Sequence, residues 1–66
     1  MIINNDNAEQ EILSFLMRNR MSQVTFAEKT GVSTATVKKL VYGEPVKQRQ
    51  VLFKINAYIH RIEGDR

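Results

Sequence analysis

Four residues, Thr34, Ala35, Lys38 and Lys39, place a hydroxyl, a methyl and two amines close together in the chain. On a helix, steps of about 100° per residue gather them with Tyr42 on one side, between roughly 0° and 140° from Thr34. Thr36, Val37, Leu40 and Val41 fall on the other side, between roughly 200° and 340°. One side is mostly aliphatic and belongs against a core, and the other carries donors. The chemistry offered there is hydrogen bonding and charge. Lysine amines donate to guanine O6 and N7, a threonine hydroxyl donates or accepts, and Ala35 or the Thr34 methyl packs on a thymine methyl. The major groove of duplex DNA displays all of these to an entering helix. The plain alternative is a solvated lysine face.

Bond-breaking chemistry has few candidates. The chain has no cysteine, which removes thiol catalysis, disulfides and Cys-ligated zinc together. His60 is the only histidine and has no partner for a metal site. Paired carboxylates, a nucleophile with its base and a glycine-rich phosphate loop are not found. An enzyme is a poor expectation, and no metal, cofactor or small-molecule ligand is implied.

Charge is unevenly placed. Residues 1–17 hold three acids and no base, residues 18–61 hold nine bases against two acids, and the net charge is +3. A body at +7 between residues 18 and 61 should attract polyanions. Arg18, Arg20 and Lys29 are expected to be plain surface charges. With 66 residues the chain is one domain, and 42% hydrophobic with 26% charged residues is a globular balance. No apolar run approaches the roughly 20 residues of a membrane span, and the acidic start does not read as a signal peptide, so a cytoplasmic protein is expected.

The elements that must hold the donor face can be placed from periodicity and punctuation. Residues 1–7 read as an N-terminal arm, its Ile2 and Ile3 either frayed or exchanged with a second copy. Asn7 or Asp6 can cap a first helix over 8–20, with Gln10 as a capping-box partner. That helix buries Ala8, Ile12, Phe15 and Leu16, with Leu13 at the margin. Ser22 caps a second helix over 23–30 that buries Phe26 and Ala27, and Gly31 stops it. Ser33 caps the third, over 34–42, which Gly43 ends. The fourth, over 47–62, carries Val51, Leu52, Ile55, Tyr58, Ile59 and Ile62 on one side, with a tail at 63–66. Nothing reads as a strand, so the expected fold is all-α, a compact bundle of four helices, or five.

Two short helices joined by a three-residue glycine turn form a helix-turn-helix over residues 23–42. The pattern Gln23-x3-Ala27-x3-Gly31-Val32-Ser33-x3-Val37-x2-Leu40-x2-Gly43 resembles the Cro/C1-type (XRE-like) helix-turn-helix of phage repressors and Cro proteins. The stretch Leu52-Phe53-Lys54-Ile55-x2-Tyr58-Ile59 is similar to that family's closing helix. Thr30 departs from the pattern, standing where an apolar residue is usual, and Phe26 is bulkier than the common residue. The resemblance spans residues 8–62 and implies a lambda-repressor-like bundle. In that family the start of the third helix and a site one turn later touch base edges, which carries over to Thr34, Ala35, Lys38 and Lys39. It also implies phosphate contacts from Lys47, Gln48 and Arg49. The residues themselves suggest three more: Gln23 opening the second helix, Ser33 at the start of the third, and Tyr42 on its outer face.

The resemblance further implies a homodimer on a palindromic operator of double-stranded DNA, with recognition helices about 34 Å apart. On the fourth helix Phe53 lies off the core side, beside Ala57 and His60. Phe53, Asn56, Ala57 and His60 are therefore the candidate two-fold interface. The alternative packs Phe53 under the arm or tail. The expected function is a Cro-like transcriptional repressor of a temperate phage or mobile element. The rivals are an antitoxin or restriction-controller autoregulator of the same fold, and a helix-turn-helix protein-interaction module that does not bind DNA.

Overall fold

The computed structural model describes residues 3–64. It contains four helices, α1 (Ala8–Asn19), α2 (Gln23–Thr30), α3 (Thr34–Val41) and α4 (Arg49–Glu63), and no strand among the described residues. α1 packs on α3, α3 on α2, and α2 on α4. The Cα radius of gyration is 10.4 Å, close to the ~11 Å of a close-packed chain this long.

The helix ends follow local chemistry. Ser22 and Ser33 cap α2 and α3 in the same way. Each hydroxyl accepts from the backbone N–H three residues on, at 3.1 Å from Thr25 and 3.2 Å from Thr36. Each also hydrogen-bonds that threonine's hydroxyl. α1 and α2 stop on a left-handed residue, at Arg20 (φ 51) and Gly31 (φ 78), and the chain leaves α3 through one a residue past Tyr42, at Gly43 (φ 83). In each case the following N–H reaches back to a carbonyl of the last turn: Met21 to Leu16, Val32 to Ala27, and Glu44 to Lys39. Gly31 has open space where a side chain would sit, so its backbone angle, not crowding, requires glycine.

One apolar cluster joins all four helices. Ile12, Phe15, Phe26, Val37, Leu40 and Ile55 are its largest fully buried side chains. The rings of Phe15, Phe26 and Tyr58 meet pairwise at 5.6, 5.9 and 6.0 Å, tilted or edge-on, which suits the aromatic quadrupole. Thr30 is buried without leaving a polar orphan. Its hydroxyl donates to the carbonyls of Phe26 and Ala27, at 2.9 and 3.2 Å, and accepts from the Val32 N–H.

Several expectations need correction. α1 ends at Asn19, because Arg20 turns left-handed. Asn7 is the N-cap residue of α1 but makes no side-chain cap bond. Its side chain accepts from the Asn4 N–H, and Asn4 in turn accepts from Asp6 and Asn7, so a local asparagine turn replaces the capping box. α4 starts at Arg49 rather than 47, since Asn5 takes the backbone of Val46. Its helix runs through Glu63, so the tail is shorter than expected, and Ile62 is 47% exposed. There the last turn of α4 meets α1 through polar groups. Glu63 accepts two 2.8 Å bonds from Arg18, which raises the arginine's pKa further above its ordinary value. Arg18 is thus paired and not a plain surface charge. Finally, Ile3 is not frayed. It is 4% exposed and packs into its own chain's core. Ile2 lies outside the described residues.

Candidate nucleic-acid interface

α3 is two-sided. Val37, Leu40 and Val41 are buried, while Ala35, Lys38 and Lys39 are exposed and Thr34 is half-buried at the first position of the helix. Thr36 is half-buried, and its hydroxyl is held by Ser33. Tyr42 closes the helix and is 74% exposed. The side that carries the amines is the side left to solvent.

A groove of about 320 Å³ runs beside α3, between it and the start of α4. It is lined by Thr36, Lys39, Pro45, Val46, Lys47, Gln48 and Val51. The structure therefore brings Lys39, Lys47 and Gln48 together around one depression. Its lining leaves out Gln23, Ser33, Tyr42 and Arg49. Gln23 is half-buried at the first position of α2, and Arg49 is exposed at the first position of α4. The Ser33 hydroxyl is exposed but committed to its cap. Among the described residues, none of Lys38, Lys39, Lys47 and Arg49 has a carboxylate at ion-pair distance. The first turn of α4 contains no acid, and Gln48 makes no capping bond there. Uncapped N–H groups with cations around them favour an anion.

Sequence reasoning missed Thr36 in this groove. Its signal was the repeat of Ser-x-x-Thr at Ser22–Thr25 and Ser33–Thr36. It also missed what Asn5 does. That asparagine's side chain donates to the Val46 carbonyl and accepts from the Val46 N–H, both at 3.0 Å.

On α4, Phe53 is 74% exposed and Ala57 and His60 are exposed, so neither arm nor tail covers the phenyl ring among the described residues. Phe53 and Ala57 border a second groove with Lys29, Lys54 and Arg61. Asn56 is not part of that exposed face. It is half-buried, and its amide is spent on the backbone of Ile3 and on the Leu52 carbonyl. No group of three or more potential metal ligands occurs among the described residues, and no helix is long and apolar enough to cross a membrane. No protein-family model, curated protein or solved structure matches the chain.

Proposed function

We propose that the chain is a sequence-specific binder of double-stranded DNA, a Cro-type helix-turn-helix regulator of lambda-repressor-like fold. α3 enters the major groove, where Thr34, Ala35, Lys38 and Lys39 meet base edges. Lys47, Gln48, Arg49, Gln23, Tyr42 and Ser33 steady the phosphates on either side, Ser33 through whatever bonding its cap leaves free. The observation that carries this reading is the split of α3 between a buried aliphatic side and an exposed side of unpaired amines. The groove joining Lys39 to Lys47 and Gln48 supports it. The protein then acts by occupying promoter DNA, without catalysis or cofactor. Selection of bound duplexes from a random pool tests the reading. A two-fold-symmetric consensus is expected, and a pool that stays random at low ionic strength would remove it.

Arg49→Ala should weaken all duplexes alike and flatten the dependence of log affinity on log salt by about 0.9. Binding isotherms at a series of salt concentrations read this directly, and an unchanged slope takes Arg49 off the backbone.

Two copies are needed to read a palindrome. Phe53, Ala57 and His60 form the face by which they pair, with Asn56 withdrawn behind it. Such pairing sets Lys29, Lys54 and Arg61 near their mates, so added salt should tighten the dimer while it loosens the DNA complex. Phe53→Lys should give a folded monomer in sedimentation equilibrium. A dimer that survives the change pairs elsewhere.

A further inference from the structure

Asn5 and Asn56 tie the segment before α1 to two distant parts of the chain. Asn56 accepts from the Ile3 N–H at 2.6 Å and donates to the Ile3 carbonyl at 2.9 Å. Asn5 makes the same two-point pair with the backbone of Val46. Each side-chain amide presents one donor and one acceptor to one residue's N–H and carbonyl, as a neighbouring β-strand would. The partners are 53 and 41 residues apart, so neither pair is a local turn. Ile3, buried in the core between the two asparagines, holds the segment down.

Val46 is the residue on which this matters. Residues 44–48 carry no helix, and Pro45 has no N–H to give. The backbone bonds that fix the turn end at Glu44, whose N–H reaches Lys39. From there to the start of α4 at Arg49, the backbone bonds the structure shows are the Asn5 pair at Val46 and, at the edge of the helix, the 3.2 Å bond from the Val51 N–H to the Gln48 carbonyl. Lys47 and Gln48 follow immediately and line the groove beside Lys39.

We propose that Asn5 is a positioning residue for the anion-binding groove: by gripping both backbone groups of Val46, it sets where Lys47, Gln48 and the start of α4 stand. This rests on the reading of that groove as a phosphate contact. Asn5 itself touches no nucleic acid. Its work is done beforehand, by removing conformational freedom that binding would otherwise have to remove.

The test uses the full chain, a duplex taken from the selection and three variants, Asn5→Ala, Asn5→Asp and Lys47→Ala. Asn5→Ala should weaken duplex binding about tenfold, the worth of two modest hydrogen bonds. It should also lower the salt slope by about one unit. In Asn5→Asp the acceptor survives and the donor is lost, and the new carboxylate opposes both the Val46 carbonyl and a bound anion, so its affinity should fall at least as far as that of Asn5→Ala. Adding Asn5→Ala to Lys47→Ala should cost much less than tenfold, because both act on the same contact. Amide exchange at Val46 reports the grip without any DNA and should quicken about tenfold in Asn5→Ala.

Quickened exchange with unchanged affinity and slope would overturn the proposal, since the grip would then exist without positioning anything. Unchanged exchange would overturn it at its first step. Additive losses in the double variant would do so as well, assigning Asn5 a separate effect. If the unaltered protein binds no duplex, the phosphate reading fails instead. The exchange result, together with inorganic phosphate titrated onto the Lys47 amide, then decides whether Asn5 still shapes an anion site.

Discussion

Phe26→Ala should lower the free energy of unfolding by about 3–5 kcal/mol. Phe26 is fully buried, and its ring touches those of Phe15 on α1 and Tyr58 on α4. It therefore ties α2 to both α1 and α4 through ring contacts. Truncation removes the transfer energy of the ring, leaves a void, and strips edge-on partners from two other aromatic rings. A chain this short buries a smaller fraction of its surface than a larger domain does and sits near the lower end of the usual 5–15 kcal/mol stability range. From about 5 kcal/mol, the loss would leave roughly 3–50% of molecules unfolded at room temperature. Urea unfolding followed by far-ultraviolet circular dichroism measures it. Met17→Ala is the matched control, since that side chain is 81% exposed and its removal should change stability by no more than about 0.5 kcal/mol. A Phe26→Ala loss below about 1 kcal/mol would mean the core closes over the gap, and that the ring cluster does not hold α2 in place.

Lys38→Ala should leave the fold intact and reduce affinity for a selected duplex by about 1–3 kcal/mol, roughly 5- to 150-fold. Lys38 is exposed in the middle of α3, and alanine is at least as good a helix former. What disappears is an amine on the outward side, not packing. If that amine reads a guanine, the loss on the selected sequence should exceed the loss on random DNA, and the preference at one base position should relax. Equal losses on both would assign Lys38 to the phosphates. Lys39 makes a useful comparison because it also lines the groove with Lys47 and Gln48. Lys39→Ala should therefore show a larger share of its effect on random duplexes.

The helices were legible because their signals are local. Ser22, Ser33, Gly31 and Gly43 cap and stop the chain through bonds made within five residues. The two faces of α3 follow from its own periodicity. What was not legible depends on residues far apart. The late start of α4 comes from Asn5, and nothing near Val46 announces it. Asn56, read as a surface residue from its angle on the helix, is drawn inward by Ile3. Ile62 follows the apolar stripe of α4, but α1 offers that turn Arg18 instead of an apolar surface. The cations of the candidate site could be named from the sequence. That Lys39 and Lys47 share one groove could not, because it depends on the path of residues 43–48.

The three-residue turns after α1 and α2 bear on how quickly the molecule assembles. Helices that follow one another so closely find their partners with little loss of chain entropy, and topologies of this kind fold within microseconds to milliseconds. The asparagine ties close later, because they bridge 41 and 53 residues, and the one to Asn56 needs α4 already seated. In a newly made chain α3 would thus stand formed before Asn5 closes on the loop that follows it.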